Sequence, residues 1–360
     1  MSKLLFVTTS HPNYDQRLIR FCTFLNDEGH EVTWWSRPKH GSPNPTIRDF
    51  SVGKVNCFFQ GGKMFYLEFN LRVFIKLLFS KGFDKVTAID MDSLPAIYLT
   101  SFFKKFELIF DAHEYFSQVP EVVSRKPIQK IWESLEDILI PKVDKAITVG
   151  PMLADMFSKK WGVHFETIRN IPSVSALITK VTKEKQPYLI YQGALNKGRG
   201  LEMLLEAMAE IDFHLKIVGE GDLSDFLREL AEDLKISNKV EFMGFKKPNE
   251  LREITMQAYA GINVSENLGL SYFYSLNNKC FDYMHAGIPT ISNDFPEYRK
   301  LNEQFEIAIL VPPVKAELVE GINKLINDKE IYFKLVAECM KAREIINWQN
   351  ESKKLRVIYP

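Results

Sequence analysis

Apolar, β-rich runs alternate with segments of helical period from one end of the chain to the other. The run 3–8 is followed by 15–27, where Leu18, Phe21, Cys22 and Leu25 recur at helical spacing. Further strands are predicted at 31–36, 55–60, 85–89, 107–110, 145–149 and 166–169. A second series covers 188–192, 214–218, 240–244, 260–264, 290–292 and 307–311, with amphipathic helices over 201–210 and 223–234. Asp222 or Ser224 is placed to cap the latter helix. Few of the strand runs alternate cleanly, which suits strands buried on both faces of a parallel sheet. Strands alternating with helices imply βαβ units with right-handed crossovers. The predicted fold class is therefore α/β, with two Rossmann-like, doubly wound parallel-sheet domains facing a central cleft. Ile171-Pro172 and the lysine-rich stretch 180–185 read as the linker, dividing a domain over 1–170 from one over 171–341.

The length of 360 residues, too great for one ordinary core, agrees with two domains. Lys plus Arg and Asp plus Glu each total 46, so net charge gives no reason to expect nucleic acid as a partner. Cys22, Cys57, Cys280 and Cys339 show neither disulfide-scaffold nor zinc spacing, which fits a reducing compartment. The apolar run after Met-Ser-Lys is too short for a signal peptide, and no stretch approaches membrane-spanning length. These features predict a cytoplasmic protein. The stretch 65–83, with Arg72, Lys76 and Lys81 among apolar residues, reads first as a helix on the first sheet with a solvated basic face. The alternative is peripheral contact with an anionic membrane at its inner face.

In open α/β sheets, ligands bind beyond the carboxyl ends of the strands. Those positions hold Ser10-His11, Asp90-Met91-Asp92 and Asp111-Ala112-His113-Glu114 in the first half. The second half has Gly193, Gly219, Gly244 and Ser265-Glu266 there. The run Tyr191-Gln192-Gly193-Ala194-Leu195-Asn196-Lys197-Gly198-Arg199-Gly200 joins a strand to a helix. Glycines let the backbone approach a phosphate, a helix start adds donors, and Arg199 offers a fork to an anion. Lys279 and Asp282 stand three apart on one helix: a cation for phosphate and a carboxylate for ribose, or else an ordinary surface ion pair. Asp90-Met91-Asp92 has the form of a metal-binding DxD, but its place in the first half favours a structural or acceptor-side role. Gly219-Glu220-Gly221 lacks a third glycine, since Ser224 stands there, so a nicotinamide cofactor is disfavoured.

S-L-x-N-K-x-F-D-Y-x-x-A-G-I-P at 275–289 resembles the donor-binding signature of family 4 retaining glycosyltransferases, which have the GT-B fold. Y-Q-G-x-L-x-x-x-R-G at 191–200 and I-V-G-x-G at 217–221 extend the resemblance. So do D-x-D-S-L-P at 90–95 and D-A-H-E-Y-F at 111–116, the latter two resembling a bacterial branch. The resemblance implies retaining transfer of a sugar from a nucleoside diphosphate sugar, without metal or resident cofactor, to a glycan or lipid-linked acceptor in polysaccharide biosynthesis. By the same resemblance Arg199 and Lys279, with Gly193 and Asn196, hold the donor diphosphate. Asp282, Gly219 and Glu220 meet the ribose and nucleotide, and Glu266 with Asn267, Leu268 and Gly269 lies near the donor sugar. His113 is expected near the transferred sugar. The segment 342–360, with Trp348, Leu355 and Ile358, resembles the tail helix that crosses back to the first domain.

Three features depart from the family pattern. Glu266 and Asp282 are sixteen apart, and Tyr274 occupies the place where an E-x7-E pair would put its second glutamate. Asp282 is a methylene shorter than glutamate. His11-Pro12-Asn13-Tyr14 lacks a glycine pair. A sugar-nucleotide epimerase or hydrolase of the same fold, and a catalytically silent sugar-nucleotide-binding protein, stand as the alternatives.

Overall fold

The computed structural model describes residues 1–38, 41–174 and 186–360, so the lysine-rich stretch 180–185 lies outside the described residues. The chain divides into two compact units, Met1–Asn170 with Glu351–Pro360, and Ile171–Asn350. In the first, the strands are β1 (Lys3–Thr8), β2 (Glu31–Ser36), β3 (Ser51–Lys54), β4 (Lys85–Ile89), β5 (Glu107–Ala112), β6 (Lys145–Thr148) and β7 (Phe165–Thr167). They form one parallel sheet in the order β3-β2-β1-β4-β5-β6-β7. The second has β8 (Tyr188–Gln192), β9 (His214–Val218), β10 (Val240–Gly244), β11 (Ala260–Asn263), β12 (Thr290–Asn293) and β13 (Ala308–Val311). These are also parallel, in the order β10-β9-β8-β11-β12-β13. Each sheet thus reverses its winding beside its own first strand, at β1/β4 and at β8/β11, where doubly wound sheets open a crevice for ligands.

Burial explains why these runs become strands. Leu4, Leu5, Phe6 and Val7 are all fully buried in β1, and Tyr188–Gln192 is buried throughout β8. In the second unit Tyr283, from the helix Asn278–His285, lies flat against β11 because Gly261 has no side chain. A Cβ there would sit 2.2 Å from the Tyr283 ring. The Tyr283 hydroxyl accepts from the Gln192 amide at 3.1 Å and donates toward the Ile190 carbonyl at 3.2 Å. One side chain therefore ties the helix that carries Lys279 to the central strands.

Four expectations change. The strand foreseen at 55–60 is displaced to Ser51–Lys54: Ser36, the last residue of β2, pairs with Lys54, and after the Val55 amide donates to the Ser36 carbonyl at 2.8 Å β2 has ended. Neither Asp222 nor Ser224 caps the helix Ser224–Asp233. Leu223 holds the cap position, and the Ser224 hydroxyl accepts from the Gly221 amide at 2.9 Å, tightening the preceding turn. The helix predicted within 65–83 is Gly62–Leu78. Phe65, Phe69, Val73 and Leu77 are buried, but the opposite side is apolar as well as basic, with Met64, Leu67, Leu71 and Ile75 exposed. Finally, 342–360 is not one helix. Residues 342–345 finish Lys329–Ile345, and the last ten residues belong to the first unit through short turns. There the buried Tyr359 hydroxyl meets Thr87 Oγ1 at 2.8 Å. Among the described residues no helix is long and apolar enough to cross a membrane.

Candidate functional site

At the carboxyl ends of β8 and β9 two loops meet at backbone distance. Gly193 has φ +135° and Gly219 φ +142°, conformations that favour glycine. A Cβ on Gly219 would fall 1.9 Å from the Gly193 carbonyl oxygen. The Gly193 amide donates to the Val218 carbonyl at 3.0 Å. That amide is therefore spent within the protein, and a Cβ on Gly193 would stand 3.9 Å from Lys279 Nζ. Asn196 Oδ1 accepts from the Asp222 amide at 3.2 Å, and the Leu223 amide donates to the Leu195 carbonyl at 2.9 Å. The loop after β11 joins the same rim, because the Glu266 amide donates to the Gly198 carbonyl at 2.9 Å. Leu268 leans against Gly198, where a Cβ would come within 2.9 Å of Leu268 Cδ1.

Two cations lie in this frame. Lys279 is only 8% exposed, its Nζ makes no hydrogen bond, and it stands 3.8 Å from the Tyr191 ring centroid. Burial, and then the neighbouring Arg199, push this ammonium well below the usual lysine range. The Arg199 guanidinium rests 4.9 Å from the Tyr272 ring centroid, with a buried Nε that has no hydrogen-bond partner. Lys279 is thus no member of a surface ion pair with Asp282. Asp282 accepts instead from Gln192 Nε2 at 2.9 Å, and Gln192 Oε1 accepts from Thr255 Oγ1 at 2.7 Å. A buried lysine beside a half-buried arginine is costly to keep charged unless an anion compensates it.

The carboxylates behave differently from one another. Burial, Glu202 and, in the opposite sense, Lys197 act on Glu266, with a net upward shift. Glu220 is turned to the outside, where it pairs with Arg228 at 2.9 Å; a hydrogen bond from Ser224 and that arginine keep its pKa low. Asn267 is exposed on the β11 loop, and Gly269, at φ +155°, starts the short helix Leu270–Phe273. Tyr274, in the place of the missing glutamate, is half-buried.

In the first unit His113 is the centre of a charge relay at the ends of β4 and β5. Its amide donates to Asp90 Oδ1 at 2.8 Å, its Nδ1 lies 3.6 Å from Asp90 Oδ2, and its Nε2 lies 3.3 Å from Asp111 Oδ2. Asp111 is fully buried and takes both arms of Arg17, at 2.8 and 3.0 Å. Burial opposes charge on both groups. Arg17 outweighs it at Asp111, held at about 2, and Asp90 and Asp111 outweigh it at His113, raised to about 9. His113 is therefore an imidazolium at neutral pH. Asp90 reaches it from a left-handed conformation, φ +53°, a strained backbone of the kind kept at functional sites. The two carboxylates of the DxD diverge: Asp90 serves His113, whereas Asp92 accepts from Thr9 Oγ1 at 2.6 Å.

Residues 176–342 match the family described as glycosyl transferases group 1, a span that contains Arg199, Lys279 and every second-unit residue named above. Over its whole length the chain superposes on sucrose-phosphate synthase from Thermosynechococcus elongatus, with a TM-score of 0.82 at 15% identity, covering 98% of that chain. The fold is GT-B. The HepE protein of Anabaena in complex with UDP-glucose shares it, with a TM-score of 0.74, 14% identity and coverage of 100% of this chain and 99% of that one. A glycosyltransferase of Methanocaldococcus jannaschii is 23% identical over 185 residues, which are 49% of this chain and 45% of its own. That match spans less than half of the relative's length.

Within the GT-B frame the sequence motifs found the cations and the glycines, and missed what holds them. Tyr191 and Tyr272, which supply the ring faces under Lys279 and Arg199, both lie inside or beside the quoted motifs, and aromatic residues next to a buried cation were the available signal. Gln192 and Thr255 have no such signal, because their contact joins residues 63 apart. The same holds for Asn293, whose Oδ1 accepts from the Ser265 amide at 2.6 Å and sets the start of the β11 loop.

Proposed function

We propose that this protein is a retaining, metal-independent glycosyltransferase that moves a hexosyl group from a nucleoside diphosphate sugar to a glycan or lipid-linked acceptor. The observation that carries the reading is the buried, hydrogen-bond-free Lys279 ammonium beside Arg199. An anion of two or more charges, such as a diphosphate, answers that arrangement beside the exposed Gly193. In the transfer step, negative charge grows on the departing diphosphate while the sugar gains oxocarbenium character. Lys279, already desolvated, and Arg199, half-buried against Tyr272, stabilise that growing charge, which is the largest catalytic contribution expected of such a site. Asp282, held by Gln192, takes the ribose hydroxyls, and Glu266 faces the donor sugar. His113, kept charged by Asp90 and Asp111, acts on the transferred sugar. HepE, solved with UDP-glucose, shares the fold and supports a UDP-sugar as the first donor to try.

A second part of the reading concerns place of action. Met64, Leu67, Leu71 and Ile75 are exposed on the helix Gly62–Leu78, as is Phe79 just after it; Leu99 on the helix Asp90–Ser101, which packs on it, and Phe102 and Phe103 just beyond that helix are exposed as well. Phe74 and Phe103 touch ring to ring at 6.0 Å, so these form one surface. Lys63, Arg72, Lys104 and Lys105 flank it. Apolar contact bordered by cations suits an anionic lipid surface, where a lipid-linked acceptor would be met.

Calorimetric titration with UDP and UDP-sugars tests the donor site. Lys279→Ala and Arg199→Ala are each expected to weaken UDP binding more than tenfold. Unchanged affinity in both would remove the diphosphate from this loop. Breakdown of a UDP-sugar that needs no acceptor would favour an epimerase or hydrolase instead.

A further inference from the structure

The first unit contains a cavity of about 560 Å³ at the carboxyl ends of β1 and β2, lined by Arg37, Gly61, Gly62 and Asp92 among others. Arg37 follows β2 and lines it. This side chain is 3% exposed, and its guanidinium lies 4.3 Å from the Phe65 ring centroid. It donates through Nη2 to neutral oxygens, the Phe59 carbonyl at 3.3 Å and Gln60 Oε1 at 3.2 Å, while its buried Nε has no partner. A buried guanidinium whose partners among the described residues are neutral is an incompletely compensated charge.

The helix Gly62–Leu78 starts in the same cavity. Its cap residue, Gly61, offers no side-chain hydrogen bond, its first turn carries no acidic residue, and both Gly61 and Gly62 line the cavity. Nothing approaches within 4 Å of where a Cβ would stand on either glycine. The amides of that turn and the positive end of a seventeen-residue helix therefore meet open space beside Arg37. Elsewhere in the cavity Asp92 presents an acceptor. Its Oδ2 is held by Thr9, and its buried Oδ1 has no hydrogen-bond partner. Burial, offset in part by Thr9, pushes this carboxyl up to about 7.

We infer that this cavity binds the acceptor, and that the acceptor is an anionic saccharide whose phosphate or carboxylate sits on Arg37 and the Gly61–Gly62 amides while a hydroxyl donates to Asp92. The assignment of an acceptor rests on the transferase reading above; the ligand chemistry does not. About 300–1,000 Å³ is the usual range for a small-molecule site, so a phosphorylated or carboxylated sugar fits in size.

The test is calorimetric titration of the full chain, with and without saturating UDP, using glucose 6-phosphate, glucuronate and glucose. An anionic sugar is expected to bind at least tenfold more tightly than glucose, and the phosphate and carboxylate arms identify the source of the charge. Arg37→Gln should remove most of that preference. Because Arg37 also holds the 59–60 loop, Gly61→Asp supplies the decisive variant. Gly61 has extended backbone, φ −174°, and space for a side chain, and Asp there caps the helix while repelling an anion. It should melt no lower than the parent and bind the anionic sugar at least tenfold more weakly. Equal binding of all three sugars, no binding of any, or undiminished affinity in Gly61→Asp would overturn the inference. Anionic-sugar binding by a protein that fails to bind UDP would sustain the cavity and count against the donor site.

Discussion

A lysine without a partner and a histidine with two mark the ends of what charge does here. Lys279 is buried without a hydrogen-bond partner, which disfavours its charged form. His113 is already compensated, by Asp90 and Asp111. Its folded pKa, about 9, lies above the ordinary value of 6.5. A raised histidine contributes stability that is complete below pH 6.5 and is lost as pH rises through 9. At about 1.4 kcal/mol per pKa unit the loss is roughly 3 kcal/mol. Urea denaturation at intervals between pH 6 and 10 is expected to show this decline in the parent and a flatter profile in His113→Gln. Parallel profiles would show that the imidazolium is not held as described. His113→Ala is also expected to leave UDP affinity nearly unchanged and to slow sugar transfer at least tenfold, read by product formation.

Elements carry the residues to their places. The helix Asn278–His285 is seated on β11 by Tyr283 over Gly261, and the preceding turn of that helix presents Lys279 to Tyr191. Gly261→Ala forces the ring away, and overpacking of this kind costs about 1–3 kcal/mol. A lower melting temperature is expected together with weaker UDP binding, because the same displacement moves Lys279. A stability loss with unaltered affinity would show that helix and cation are uncoupled. The helix Gly62–Leu78 is the contrasting case, since its second apolar side has no cover within the described residues. Leu67→Glu with Leu71→Glu should abolish co-sedimentation with phosphatidylglycerol vesicles and leave UDP affinity intact. Equal sedimentation of parent and variant would take that face out of any membrane contact.

At the scale of the whole molecule each unit has its own sheet, and the residues proposed for the nucleotide all come from the second. UDP at a hundredfold excess over its dissociation constant should stabilise the native state by about 2.7 kcal/mol. Hydrogen exchange should slow most in 193–200 and 265–280. Protection concentrated in the first sheet would place the nucleotide in the wrong unit.

The alternation of apolar runs with helical segments determined the α/β class, the two sheets and most strand positions, because burial on both faces leaves no other use for such runs. Motif spacing likewise carried Arg199, Lys279, Gly193 and His113, whose chemistry is local to a loop or a turn. What tertiary structure alone decided depends on residues far apart in the chain. β3 lies at Ser51–Lys54 because β2 ends opposite Lys54. Asp282 is held by Gln192, ninety residues away, in place of the Lys279 pairing that its helix spacing suggested. Lys279 is buried by Tyr191 from another strand, and Arg37 by the start of a helix twenty-five residues on. A side chain's type and spacing are written in the sequence, but its desolvation and its counter-charge are set by what the fold brings beside it.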